Sequence, residues 1–211
     1  MATPSLTSPK WMAALRNTFG ARLQERVVLS NYTTARLGGP ADAMLVANAA
    51  DELASFVASL WALDIPFFLL GSGANLLVSD SGFRGVVILN KARNIKIDTH
   101  HTPPTVWAES GANLGSVARQ AALRGLSGLE WAATVPGTLG GAVYGNAGAH
   151  GADIQSNLLL ADILHREEGR QEWPLERMQY SYRGSALKRQ PGQAVVLAAR
   201  LKLTNGDPQT I

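Results

Sequence analysis

VPGTLGGAVYGNAGAHG, residues 135–151, places glycine at six of seventeen positions. Glycine loses more backbone entropy on folding than any other residue. A dense cluster therefore implies tight turns or close approach of the backbone to something. Apolar sequence flanks the cluster on both sides. The stretch reads as a main-chain surface that touches a ligand, with Asn146 as its one buried amide. The alternative is a set of tight loops in a compact domain.

Upstream, the loop GSGANLLVSD (71–80) follows an apolar strand, PFFLL (66–70). Glycines there let successive N–H groups point into one concavity, which suits a phosphate or diphosphate. No Gly-Lys-Ser/Thr follows, so this is not a Walker A loop, and Leu76 breaks the Gly-x-Gly-x-x-Gly spacing. Taken alone, Gly71-Ser72-Gly73-Ala74-Asn75 is equally a plain turn. Two such loops can face each other across an extended ligand such as a dinucleotide cofactor. Asn75 and Asn146 would then offer amide groups to its polar edges. Stabilisation of their own turns is the competing reading.

A third segment, QYSYRGSALK (179–188), carries Tyr182, Arg183 and Lys188. A permanently charged guanidinium suits a carboxylate or a developing enolate, and Lys188 would add positive potential. A solvated basic turn is the alternative. The four histidines show no metal-ligand spacing, so no metal is expected. His150 adjoins the glycine cluster and could reach a ligand, whereas His100 and His101 read as surface loop. Glu109 and Glu130, near the ends of apolar segments, read as salt-bridge partners or catalysts.

A length of 211 residues, 46 % of them apolar, suffices for one large or two small domains with a real core. Net charge is +3, with no basic run dense enough to track a nucleic acid. The absence of cysteine excludes disulfides, thiolate chemistry and most structural zinc sites. No signal core leads the chain, and no stretch approaches the roughly 20 apolar residues of a membrane span. A soluble cytoplasmic protein is expected, with no membrane partner. Residues 1–10 read as loosely held. Apolar periodicity predicts helices over 10–24, 50–63 and 113–124. Asp51 or the residues just before it would cap the second. Strands are predicted over 43–47, 66–70, 85–90, 105–110, 158–165, 171–175 and 194–203. The last alternates in its second half, as an edge or half-buried strand would. The polar stretch 91–104 reads as a boundary between lobes. The resulting division is an N-terminal extension and helix (1–24), a first lobe (25–95), a second lobe (96–205) and the start of a further C-terminal domain (206–211).

Four segments resemble, in order and spacing, the UDP-N-acetylenolpyruvoylglucosamine reductases of peptidoglycan synthesis. They are NYTTARLGGPAD (31–42), LLGSGANLLVSDSGFRGVVI (69–88), GLSGLEWAATVPGTLGGAVYGNAGAHG (125–151) and YSYRGSALK (180–188). The resemblance implies an α+β, two-lobed FAD-binding fold of the vanillyl-alcohol-oxidase (PCMH) type, with FAD held non-covalently. It implies NADPH as hydride donor and a UDP-sugar enolpyruvyl ether as substrate, in a monomer. Cofactor contacts would come from Tyr32; from Gly71, Ser72, Gly73, Ala74, Asn75 and Leu76; and from Thr134, Pro136, Gly137, Gly140, Gly141, Asn146, Gly148, Ala149 and Gly151. Thr33 and Thr34 would open the first lobe, supported by the Gly38-Gly39 turn. Arg183 matches the arginine that contacts the enolpyruvyl carboxylate and polarises the double bond, with Tyr182 as its aromatic neighbour and Lys188 close by. Two positions depart from the pattern: Ala74 stands where serine is usual, and Ala186 where an aromatic is usual. The family's C-terminal domain, with its proton-donating serine and late glutamate, has no match in these residues. The chain is therefore expected to bind FAD but to turn over slowly or not at all. Another FAD-dependent oxidoreductase of the same fold, or an inactive FAD-binding fragment, is the alternative.

Overall fold

Helix α1 (Met12–Phe19) buries Met12, Leu15 and Phe19 and stops at Gly20, whose φ of 53° and ψ of −130° suit only glycine. The predicted helix to residue 24 therefore ends early. A single 3-10 turn, Gly20–Arg22, leads instead into strand β1 (Gln24–Val28). This computed structural model describes residues 10–207. The expected loose N-terminus up to residue 9, and the last four residues of the expected C-terminal start, lie outside the described residues.

A βαβ unit follows. Strand β2 (Pro40–Ala47) is buried along nearly its whole length, and helix α2 (Ala50–Ala62) turns Leu53, Phe56, Val57 and Leu60 inward, at the helical spacing seen in sequence. Strands β3 (Phe67–Leu70) and β4 (Phe83–Asn90) complete a four-stranded sheet of order β1-β2-β4-β3. β2 and β3 run parallel to β4, and β1 lies antiparallel to β2.

The stretch expected as a linker holds a strand, β5 (Ile95–Asp98), in which half-buried Ile95 and Ile97 alternate with exposed Lys96 and Asp98. That period of two marks a strand with one buried face, and β5 forms an edge of its sheet. The second lobe continues with β6 (Thr105–Glu109), α3 (Leu114–Ala122), β7 (Leu126–Ser127), α4 (Leu139–Gly145), β8 (Gly148–Ala149), β9 (Ala152–Asp153) and α5 (Ile154–Asn157). It closes with β10 (Leu158–His165), β11 (Gly169–Pro174), α6 (Leu175–Met178), α7 (Ala186–Arg189), β12 (Ala194–Lys202) and β13 (Thr204–Asn205). Its main sheet, of order β11-β10-β12-β6-β5, is antiparallel throughout, and β13 pairs with β7. β12 is thus a central strand and not an edge.

β12 also joins the lobes. Val195 and Leu197 pack with α2 in the first core, while Val196, Ala199 and Leu201 belong to the second. Lobe two grips both ends of α2. Arg170 pairs with Asp51 at 2.6 Å and Arg166 with Asp64 at 3.2 Å. The helix start is capped from the other lobe as well. Ala50 N donates to Glu109 Oε1, and Asn94 N to Glu109 Oε2, each at 2.8 Å. Neither Asp51 nor the Ala49 side chain caps α2. Glu109, 4 % exposed, makes no ion pair among the described residues; its acceptors serve two backbone amides. Glu130 likewise accepts from Ser127 Oγ and Gly128 N, with no ion pair among the described residues. No helix among the described residues is long and apolar enough to cross a membrane.

Candidate functional site

Where the lobes meet, a cleft of about 860 Å³ runs along β3, over the loop 71–76, beneath Gly137, Thr138 and the start of α4, and past the first residues of β12. The loop takes its shape from Gly73, whose φ is +66° and whose absent Cβ would fall 2.2 Å from Tyr32 O. Thr34 N donates to Gly73 O at 3.1 Å, so the 31–34 segment backs the loop. The Tyr32 backbone therefore supports this loop from behind, and the residue does not line the cleft. The amides of Ser72 to Asn75 meet no backbone or side-chain acceptor among the described residues. Orphan N–H groups in sequence make an anion-binding nest. The two glycine loops do face each other. A Cβ at Gly71 would meet Thr138 Oγ1 at 2.8 Å, and Asn75 Nδ2 donates to Pro136 O at 3.3 Å.

The glycine cluster is not a run of turns. Its centre is helix α4, capped by Thr138, whose Oγ1 accepts from Gly141 N. The glycines have separate reasons. Gly140 lets α4 seat on strand-end residue Ser110, since its Cβ would lie 2.7 Å from Ser110 Cβ. Gly137 needs its φ of +135°. At Gly141 the nearest atom to an added Cβ is 3.7 Å away, and the residue lines the cleft. Gly148, Ala149 and Gly151 build the β8–β9 hairpin outside the cleft-lining set, with His150 (φ 52°) and Gly151 (φ +83°) at its tip. Thr134 and Pro136 are exposed beside the cleft.

Asn146 is fully engaged within the protein. At φ 47° it ends α4 in the left-handed region. Its Nδ2 donates to Asp153 Oδ2 at 3.1 Å and to Ser181 O at 3.2 Å, while its Oδ1 accepts from Gln155 N at 3.1 Å. These bonds span 7, 35 and 9 positions, so they are not the local turn bonds of the competing reading, and they leave neither amide proton for a ligand. They also tie the arginine segment to the cluster. Ser181 and Gly184 exchange backbone hydrogen bonds, which puts Tyr182 and Arg183 at the tip of a tight turn. Arg183 takes a left-handed φ of 53°, uncommon for a side chain of this size. Its Nη2 donates to Gly148 O at 3.1 Å, and its guanidinium lies 5.9 Å from the ring centre of Tyr182, itself 92 % exposed. Lys188 Nζ donates to Arg183 O at 2.8 Å. Ser185 Oγ and Tyr180 Oη anchor the segment to Tyr144 O and Val143 O of α4, at 2.6 and 2.9 Å. Burial first, and the Asp153 charge second, push the Tyr180 phenol well above its ordinary range.

Of the expected cofactor residues, Gly71 to Leu76, Gly137, Gly140 and Gly141 line the cleft. Arg183, Tyr182 and Lys188 stand together but outside that lining. Sequence reading missed Asn90, Ser110 and Tyr144, which line the cleft too. The signal for the first two was a polar residue closing a buried apolar strand, in VVILN and WAES. No cluster of three or more metal-ligating side chains occurs among the described residues.

The model of an FAD binding domain family matches residues 41–172. UDP-N-acetylenolpyruvoylglucosamine reductase of Bacillus subtilis is 41 % identical over 185 residues, and that of Chloroflexus aggregans 37 % over 188. Each alignment covers 87 % of this chain, which spans 59 % and 63 % of those relatives' lengths. The crystal structure of the Thermus caldophilus UDP-N-acetylenolpyruvylglucosamine reductase superposes with a TM-score of 0.72 at 30 % identity, covering 89 % of this chain and 65 % of that one. An alkyldihydroxyacetonephosphate synthase shares the fold at a TM-score of 0.66 and 16 % identity, covering 97 % of this chain and 42 % of its own. The α+β, two-lobed architecture is thus the FAD-binding fold of vanillyl-alcohol-oxidase type that the sequence led one to expect.

Proposed function

The chain belongs to the FAD binding domain family, and from that premise we propose that it holds FAD non-covalently as the flavin-binding part of a UDP-N-acetylenolpyruvoylglucosamine reductase. The observation that carries the reading is the run of amides at Ser72–Asn75 that meet no protein acceptor among the described residues, in a loop that lines the same cleft as Gly137 and Gly141. A diphosphate supplies the acceptors those amides lack. Gly141 supports the fit, because no protein contact requires its missing side chain. Tyr32 would brace the loop, and Ala74 would offer its amide where the family has an added hydroxyl. Thr134, Pro136, Asn146, Gly148, Ala149 and Gly151 would shape the surrounding wall rather than bond the cofactor.

Bound FAD would supply hydride transfer from NADPH to the enolpyruvyl double bond of a UDP-sugar. Arg183, Tyr182 and Lys188 would hold the substrate carboxylate. The guanidinium would stabilise negative charge that develops there. Its left-handed turn and its bond to Gly148 O hold that charge at a set position without consuming all its donors. Such a chain works as a soluble monomer with no nucleic-acid or membrane partner. Reconstitution tests the reading: the purified chain, mixed with FAD and passed over a desalting column, should retain visible flavin absorbance, and NADPH should bleach it without oxygen. A chain that elutes colourless refutes the FAD assignment. Retained flavin that NADPH leaves oxidised refutes the choice of donor alone.

A further inference from the structure

We propose that the Ser110 hydroxyl donates a hydrogen bond to an acceptor atom of the cofactor in this cleft, an inference that rests on the FAD reading above. Ser110 is 1 % exposed and contributes to the cleft lining. Its backbone is fixed on both sides: its N donates to Leu197 O at 2.9 Å, and its O accepts from Gly140 N at 2.8 Å. α4 therefore sits directly on this residue, and Ser110 lines the same cleft as Gly137, Thr138 and Gly141.

The polarity of the neighbouring hydrogen bonds sets the direction of the hydroxyl. Ala92 N donates to Asn90 Oδ1 at 3.0 Å, which identifies the oxygen end of that amide. The Nδ2 end consequently faces Ser110 Oγ, at 2.8 Å. An amide NH₂ can only donate, so Ser110 is the acceptor in that pair. Its own proton has no acceptor among the described residues. A buried hydroxyl that donates to nothing is costly, and the space still open to this proton is the cleft. FAD offers acceptors of three kinds: phosphate oxygens, ribityl oxygens and isoalloxazine carbonyls. All satisfy the same donor.

The test is flavin affinity of the full chain, measured by fluorescence titration with FAD, FMN and riboflavin. Ser110→Ala deletes the donor and should weaken FAD binding about three- to tenfold, the worth of one net hydrogen bond. Asn90→Asp keeps the acceptor for Ala92 N but reverses the second contact. The introduced carboxylate can only accept, so the hydroxyl turns towards it and away from the cleft. FAD affinity should fall again. A loss shared by riboflavin places the acceptor on the isoalloxazine or ribityl group, and a loss confined to the phosphorylated flavins places it on the phosphates. A lower melting temperature of the flavin-free variants together with an unchanged FAD Kd would mark the Asn90–Ser110 pair as purely structural and overturn the proposal. If the unsubstituted chain binds no flavin, the FAD reading itself fails and takes this contact with it.

Discussion

Replacing Gly141 with alanine should stabilise the flavin-free chain and weaken FAD binding, two effects of opposite sign from one methyl group. Gly141 is the third residue of α4, and its φ is not in the left-handed region, so alanine fits the backbone. The added Cβ would meet no protein atom nearer than Thr138 Oγ1 at 3.7 Å, an ordinary contact. Helix propensity then favours alanine by about 0.5–1 kcal/mol. For a chain of this size that raises the melting temperature by about 1–4 °C. The same methyl projects where the ligand must lie, because Gly141 lines the cleft. Overpacking of a formed site costs about 1–3 kcal/mol, or about five- to 150-fold in Kd. Gly140→Ala is the control. Its Cβ would fall 2.7 Å from Ser110 Cβ, so it should destabilise the flavin-free chain by about 1–3 kcal/mol. Differential scanning fluorimetry without flavin and fluorescence titration with FAD read the two effects separately. An unchanged FAD Kd for Gly141→Ala, or a lowered melting temperature, would refute the assignment of this glycine to the ligand.

Three other outcomes follow from the geometry. Glu109→Ala strips the acceptor from one buried and one part-buried amide and should cost about 2–5 kcal/mol in denaturant unfolding. Glu109→Gln should cost less, since only its NH₂ end faces a donor; equal stability of all three chains would contradict the capping role. Arg183→Gly relieves a left-handed side chain worth about 1 kcal/mol and should leave the melting temperature unchanged or raised, while titration of the FAD-loaded chain with the enolpyruvyl substrate loses its carboxylate-dependent spectral change. Full retention of that change would remove Arg183 from the site. For Tyr180, the folded pKa lies above the unfolded one, so the folded chain keeps a proton that the unfolded chain releases near pH ~10. Stability from this group is complete below that pH and declines as pH rises past it. Tyr180→Phe should flatten the decline of melting temperature at alkaline pH, and parallel curves for the two chains would count against the burial argument.

What could be read from sequence depended on where each residue's contacts lie. α2 was legible because Leu53, Phe56, Val57 and Leu60 repeat with the helix itself, and the contact surface follows from local period. β1 was not, because QERVV has no buried position and so no alternation to detect. Glu109 was misread because its partners are the amides of Ala50 and Asn94, and backbone groups carry no residue identity that a sequence displays. Asn146 was half legible: a left-handed turn suits asparagine, but its bonds to Asp153 and Ser181 span 7 and 35 positions. The loop at 71–76 was the easiest part of the site, since strand and glycines adjoin in the chain.

The cluster at 135–151 shows how far a glycine count can go. Six glycines announce close approach, but the chain alone does not say of what. Gly140 and Gly148 are explained by protein atoms within 2.7 Å of an added Cβ, and Gly137 and Gly151 by positive φ. That leaves Gly141 and Gly145, which have neither a positive φ nor a crowding neighbour. They stand four residues apart and so share one face of α4. In a helix each costs about 1 kcal/mol relative to alanine, with no return from folding. Gly141 lines the cleft and Gly145 does not. On this helix that face starts at the cleft and continues towards Tyr144, the anchor of the Arg183 segment. The glycines that the fold itself leaves unexplained are therefore two of the six, and the other four serve the fold that presents them.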